Sequence, residues 1–235
     1  MNKCNIRKAF ILAAGFGTRL KPFTDNLPKA LVSYNGRPMI ENVISKLVSF
    51  GINDIVINTH HHADKMEEYF SSRSGSGNIT LLNETEILGT GGALKNAQKE
   101  LMESENFLVY NTDVDCDLNL DDFCIFHFEN KGIATLCVQE RRTSRYLICD
   151  KAGKLIGRTE NGKNVFYSEV TEEFRLTAFC GIHIMNKDIF SYFPEIELNF
   201  DIIPVYMSLV KDSKQIFTYD ISGVHWRDLG TPENL

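Results

Sequence analysis

The sequence predicts an α/β protein with a mixed, mostly parallel sheet flanked by helices. Three observations carry this. Strand-length apolar runs alternate with helix-period segments through the first half of the chain, the signature of βαβ units. Phe107-Leu108-Val109-Tyr110 is apolar throughout, as a central strand covered on both faces must be. The second half is richer in strand signals than in helix signals, so a β-rich portion joins the parallel core.

The elements follow in order. Ala9-Phe10-Ile11-Leu12 marks a first strand over residues 6–13. Pro38 opens a helix with apolar residues at Ile40, Val43, Ile44, Leu47 and Val48, and Gly51 stands where its C-terminal cap belongs. Residues 54–58 form a second strand, 64–70 a short helix and 78–82 a third strand. Ala93, Leu94, Ala97 and Leu101 space out a third helix ahead of the strand at 107–110. Strands at 133–138 and 145–149 follow, the latter turning at Asp150–Lys154 into a hairpin with 155–157. Gly181–Met185 is a strand, Ile189, Phe190 and Phe193 mark a short helix, 202–210 a longer one, and 215–219 a late strand. With no internal repeat and no low-complexity linker, residues 1–235 read as one domain.

Composition narrows the class. A net charge of −6 excludes broad, sequence-independent nucleic-acid binding, so any phosphate site is a local positive pocket in an acidic molecule. The six cysteines are scattered without a C-x-x-C pair and read as buried free thiols of a reducing compartment. The polar start Met1–Asn5 shows no signal peptide, and no apolar run reaches spanning length. The expectation is a soluble cytoplasmic protein with no membrane partner; composition points to no particular oligomeric state.

The first strand empties into Ala13-Ala14-Gly15-Phe16-Gly17-Thr18-Arg19, with Pro28-Lys29 ten residues on. Glycines let backbone N–H groups approach an anion, and Arg19 and Lys29 add two positive charges. The loop lacks the third glycine of the dinucleotide fingerprint and the Gly-Lys-Ser/Thr of Walker A, and Pro22 prevents a long helix from starting there. A polyphosphate is implied, and NAD or P-loop chemistry is not.

The fourth strand ends at Asn111-Thr112-Asp113, where ligands bind in open α/β sheets. Asp113 there suits a hard cation such as Mg²⁺, and Asp228 in Trp226-Arg227-Asp228-Leu229-Gly230-Thr231 is a second carboxylate for it. Asp115 and Asp117 read as solvated loop acids. Leu88-Gly89-Thr90-Gly91-Gly92-Ala93 opens the third helix with backbone bare enough to meet a flat base edge, or is simply a flexible helix entry. His60-His61-His62 looks like a metal tract, but adjacent histidines point in different directions and no zinc partner is spaced for them. His183 reads as a satisfied half-buried histidine. Arg141-Arg142-Thr143-Ser144-Arg145 reads as a solvated turn, with Arg145 a candidate phosphate contact.

In content, order and spacing, Leu12–Leu20 with Pro28-Lys29, Leu88–Ala93, Asn111–Asp113 and Trp226–Thr231 resemble the sugar-1-phosphate nucleotidylyltransferases. The resemblance covers essentially the whole chain and implies a Rossmann-like fold of the nucleotide-diphospho-sugar transferase type. It further implies a nucleotide-binding half over about 1–115 and a sugar-binding half over about 116–235. The compact size resembles the N-acetylmuramate-1-phosphate uridylyltransferases, which implies UTP and that sugar phosphate. Leu-Gly-Thr-Gly-Gly-Ala also resembles the mannose- and heptose-1-phosphate guanylyltransferases, which stand as the alternative. An Asp-x-Asp glycosyltransferase using Asp113 and Asp115 is a further one.

The resemblance implies that an NTP and a sugar 1-phosphate give an NDP-sugar and pyrophosphate. The backbone of Ala13, Ala14, Gly15, Gly17 and Thr18 would cradle the nucleotide and Gly89, Thr90 and Gly91 the base. Arg19 would sit on the leaving pyrophosphate and Lys29 on the reacting phosphates. Asp113 and Asp228 would hold Mg²⁺, and Asn111 and Gly181 would contact the sugar. Many relatives carry a Glu-Lys-Pro lysine that grips the sugar phosphate. Residues 156–163 lack that motif, so Arg145, Arg158 or Lys29 would take its place. Longer relatives carry a C-terminal left-handed β-helix, which these 235 residues do not encode.

Overall fold

The protein, known from a computed structural model, is described over residues 5–170 and 173–235. Strand β1 (Lys8–Leu12) alternates its side chains, with Ala9 and Ile11 entering one core and Phe10 the other. A small hairpin, β2 (Ser33–Tyr34) and β3 (Arg37–Pro38), leads into helix α1 (Met39–Ser49). Then come β4 (Asp54–Thr59), α2 (Ala63–Ser72) and β5 (Asn78–Asn83). Helices α3 (Gly89–Asn96) and α4 (Gln98–Leu101) precede β6 (Asn106–Asn111). β4 and β6 repeat the alternation of β1: Ile55, Ile57, Leu108 and Tyr110 face the first core, Val56, Phe107 and Val109 the second. Apolar residues on both sides of three adjacent strands require helices on both faces. Side chains of α1, α2 and a later helix, α5 (Leu120–Asn130), fill one side and those of α3, α4 and the last α-helix, α6 (Ile202–Lys211), the other.

β7 (Val114–Cys116) and α5 (Leu120–Asn130) carry the chain to β8 (Ala134–Gln139). The hairpin β9 (Leu147–Asp150), β10 (Leu155–Glu160) and β11 (Lys163–Phe166) form the β-rich end. β12 (Phe174–Asn186) is the longest strand among the described residues, followed by α6 (Ile202–Lys211), β13 (Ile216–Asp220) and β14 (Trp226–Asp228). One sheet runs β11-β10-β9-β12-β6-β1-β4-β5, with β8 on β12 and β13 on β8. β6, β1, β4 and β5 are mutually parallel and β12 is antiparallel to β6, so the predicted mixed, mostly parallel sheet is observed.

Helix α5 and strands β7, β11 and β14 were not expected from the sequence. Phe123, Cys124, Ile125, Phe126 and Phe128 wrap much of α5 in apolar side chains, which blurs the helical period. Its signal is the N-cap: the Asn119 side chain accepts the N–H groups of Asp121 and Asp122 at 3.0 and 3.4 Å. β7 and β14 are three residues each and exist through pairing with one another. The thiols of Cys116, Cys137, Cys149 and Cys180 are free and buried, as expected. Cys124 is disulfide-bonded, which corrects the expectation for that residue, and Cys4 lies outside the described residues. No described helix is long and apolar enough to cross a membrane.

Candidate active site

The parallel strands β1, β4 and β6 end side by side, so Leu12, Thr59 and Asn111 deliver their following loops to one edge. There a cavity of about 260 Å³ is lined by Ala14, Gly15, Lys29, Gly89 and Asp113, among others. A second cavity, of about 470 Å³, lies toward the β-rich end, with Arg141, Arg145, Arg158 and His183 in its walls. Leu12, Thr90, Asn111 and Asp201 line both.

The glycine loop is held from two sides. Ala13 is buried and its N–H donates to Asn58 Oδ1 at 2.7 Å. Asn58 Nδ2 donates to Glu84 Oε1 at 2.7 Å, while Glu84 Oε2 accepts the Leu88 N–H at 3.3 Å. One buried carboxylate thus ties the glycine loop to the Leu88–Gly92 loop. Burial raises its pKa above the usual carboxylate range, with the Asn58 and Leu88 bonds opposing. At the loop tip, the Phe16 ring meets the rings of His60 and His61, each with centroids 5.6 Å away. His60 Nδ1 pairs with the Glu84 carbonyl at 2.8 Å. The histidine run braces loops, and no group of three or more metal-ligating side chains converges among the described residues.

Gly15 faces open space, whereas Gly17 has φ 63° and a Cβ there would lie 2.8 Å from Thr24 Cγ2. The Gly17 carbonyl accepts the Leu20 N–H, closing a short 3₁₀ turn over Thr18–Leu20. Arg19, on that turn, points outward and faces Asp228 Oδ2 at 3.6 Å. Lys29 and Asp113 form a largely buried ion pair. Asp228 pairs in register with Val114, and the Leu229 N–H donates to the Asp113 carbonyl at 2.8 Å, so β14 brings Asp228 beside Asp113. Asp115 belongs elsewhere: its Oδ2 accepts the Tyr34 hydroxyl at 2.9 Å and faces His225 Nε2 at 3.2 Å.

Two expected contact glycines have other duties. Gly91 is buried, its N–H donates to the Phe200 carbonyl at 2.8 Å, and an added Cβ would sit 2.4 Å from Phe200 Cε2. It faces the protein's own chain rather than the cavity. Only Gly89 and Thr90 of the three expected base contacts line the smaller cavity. Gly181 has φ 75°, and a Cβ there would meet Asn111 Nδ2 at 2.7 Å, so it backs Asn111, which lines both cavities.

Asp201 and Phe200 went unnoticed in the sequence. Asp201 stands at the N-cap of α6, yet its Oδ1 accepts the Thr90 hydroxyl at 3.3 Å, while Thr90 Oγ1 accepts the Ile202 N–H at 3.0 Å. The Asp before an apolar helix was the available signal, but it indicates a cap and not an exchange of partners with a distant loop. His183 Nδ1 pairs with the Tyr206 hydroxyl at 2.6 Å, and burial lowers its pKa to about 3, so it is a neutral wall residue.

A model of the nucleotidyl transferase family matches residues 8–235. The chain belongs to that family. It is 33% identical over 238 residues to the mannose-1-phosphate guanyltransferase of Gibberella zeae, covering 97% of this chain and 62% of that protein. It is 31% identical over 235 residues to the mannose-1-phosphate guanyltransferase of Saccharomyces cerevisiae, with the same coverages of 97% and 62%. The chain therefore spans about 62% of the length of these curated relatives. Among solved structures, UDP-glucose pyrophosphorylase superposes with a TM-score of 0.77 at 19% identity, over 97% of this chain and 95% of that one. HddC of Yersinia pseudotuberculosis superposes with a TM-score of 0.75 at 24% identity, over 97% and 96%. These likenesses establish the fold of the nucleotide-diphospho-sugar transferases.

Proposed function

We propose that the protein is a sugar-1-phosphate nucleotidylyltransferase that joins GTP to mannose 1-phosphate or a similar sugar phosphate. The observation that carries the chemistry is the cavity where the glycine loop, Lys29 and Asp113 meet, opening onto a second cavity walled by arginines. The guanine and mannose parts rest on the curated relatives' names. That favours the guanylyltransferase alternative over UTP and N-acetylmuramate 1-phosphate. The Asp-x-Asp glycosyltransferase reading loses support because Asp115 is engaged by Tyr34 and His225.

In this reading an oxygen of the sugar phosphate attacks the α-phosphorus of the NTP. A new P–O bond forms, the α–β bridge breaks, and pyrophosphate leaves with its electron pair. Positioning and charge stabilisation do most of the work. Ala14, Gly15 and Thr18 offer backbone to the nucleotide beside Gly89 and Thr90. Lys29 steadies the α-phosphate, and Arg19 draws on the departing pyrophosphate from the outer side. Asn111 orients the sugar, held by Gly181, and Arg145 attracts it at the cavity wall. The halves of the chain, about 1–115 and 116–235, take the nucleotide and the sugar respectively.

Asp113 and Asp228 fit a hard divalent cation. They are carboxylates on neighbouring backbone segments, each now facing a side-chain cation, and Mg²⁺ commonly binds one or two carboxylates plus phosphate and water. When bound, Mg²⁺ would supply positive charge to the reacting phosphates. With the carboxylates neutralised in that way, Lys29 and Arg19 would be free to serve the substrates.

The test is pyrophosphate release from four NTPs mixed pairwise with mannose-, heptose-, glucose-, GlcNAc- and MurNAc-1-phosphate in Mg²⁺. GTP with mannose 1-phosphate is expected to lead. No release from any pair would overturn the reading, and a UTP optimum would overturn its guanine part.

A further inference from the structure

Under the proposed function the acceptor brings a phosphate, an anion that must be met by positive charge in the larger cavity. Three guanidinium groups line the larger cavity, and they are not equivalent. Arg158 is already neutralised: its Nε and Nη2 contact Glu160 Oε1 at 2.8 and 2.7 Å. Arg145 is exposed, with no ion pair to fix it among the described residues. Arg141 is different. Its guanidinium carbon lies 4.3 Å from the Trp226 ring centroid, and Nη2 donates to the Phe179 carbonyl at 2.9 Å. Trp226 is itself fixed by an Nε1–H bond to the Cys180 carbonyl at 3.0 Å.

Arg141 is held but not satisfied. Its Nε is buried without a hydrogen-bond partner, and no carboxylate pairs with it among the described residues. The Cys180 thiol contacts the Arg141 side chain only as a weak hydrogen-bonding partner: burial keeps it protonated, with its pKa raised to about 12, so it supplies no anion. A planar guanidinium that is stacked, tethered and short of an anion suits a phosphate, because its fork matches phosphate oxygens and little side-chain entropy remains to be lost.

Resting on the nucleotidylyltransferase reading, we propose that Arg141, clamped on Trp226, is the grip for the acceptor's phosphate. The same β14 strand then carries the clamp at Trp226 and the candidate metal carboxylate at Asp228, two residues apart. The acceptor phosphate would be registered against the reacting centre through one short strand.

Two measurements test this. In the pyrophosphate-release assay, Arg141→Met should raise the KM for the sugar phosphate about 10- to 100-fold, as for a lost charge-assisted bond, with the KM for NTP changed less than about 3-fold. Arg141→Lys, which keeps the charge and loses the fork, should fall between wild type and Arg141→Met. Trp226 is the only tryptophan in the chain, so its fluorescence reports on the clamp directly. Titration with mannose 1-phosphate or inorganic phosphate should shift the emission of wild type and not of Arg141→Met. Thermal unfolding of each variant guards against misfolding.

An active wild type whose Arg141→Met variant keeps its acceptor KM overturns the proposal and leaves the enzyme reading intact. So does an acceptor loss that follows Arg145→Met instead. A wild type that releases no pyrophosphate overturns the enzyme reading; the fluorescence titration then still decides whether Arg141 binds phosphate.

Discussion

Lys29 and Asp113 pair across the mouth of the smaller cavity, their side chains only 13% and 17% exposed. Each is thus kept from water and held ready beside the position proposed for the reacting phosphates. Lys29→Ala and Asp113→Ala are each expected to cut turnover at least about 100-fold, as removal of charge-stabilising groups does. Steady-state pyrophosphate release checks this; rates near wild type in both would remove the mechanism. Because either single change strands a mostly buried charge, the Lys29→Met/Asp113→Asn pair should recover stability lost in the singles, as read by urea unfolding.

Glu84 should couple two loops. Asn58→Ala releases the Ala13 N–H, and Glu84→Ala releases both Asn58 and the Leu88 N–H. Each is expected to raise the KM for NTP by about 10-fold, the scale of one well-made hydrogen bond, and the double variant should be little worse than Glu84→Ala alone. Simple additivity in the kinetic cycle would argue that the two residues act separately.

The two glycines Gly15 and Gly91 should fail in opposite ways. Gly91→Ala drives a methyl into the Phe200 ring and should cost about 1–3 kcal/mol of stability, measured by denaturant titration. Gly15→Ala meets nothing within 4 Å, so stability should hold while the KM for NTP rises. A stable Gly91→Ala protein would mean that Phe200 has room to move aside.

Acid should weaken the fold through two buried histidines. Burial lowers the pKa of His127 to about 4 and of His183 to about 3. The unfolded chain binds these protons near pH 6.5, so stability present above that pH is lost as pH falls toward the folded values. The slope is about 1.4 kcal/mol per pH unit for each histidine. Urea midpoints at pH 7.5, 6 and 5 measure it, and His183→Gln should flatten the profile. A profile already flat between pH 6.5 and 5 would show that these rings do gain protons in the folded state.

The parallel core was legible because β1, β4 and β6 are apolar on both faces and helix α1 has a clear stripe. Helix α5 was not, since its apolar residues exceed one stripe. β7 and β14 were not, since three-residue strands are defined by a partner more than 100 positions away. At the site, Asp113 and the glycine loop could be read from their place at strand ends. The duty of Gly91 could not, because it depends on Phe200, which the fold alone brings near. Nor could Arg141 be told from Arg145, since Trp226 lies far along the chain and selects between them only through contact.

Leu12, Thr90, Asn111 and Asp201 face both cavities, and a shared partition has a thermodynamic consequence. A ligand that shifts this partition from one side would change the wall on the other; the two affinities would then be linked, each ligand altering the other's binding by the same factor. Thr90 and Asp201, hydrogen-bonded between α3 and the start of α6, are the pair through which such a shift would pass. A change at either would move both Michaelis constants at once, where a change at Lys29 or Arg141 would move one.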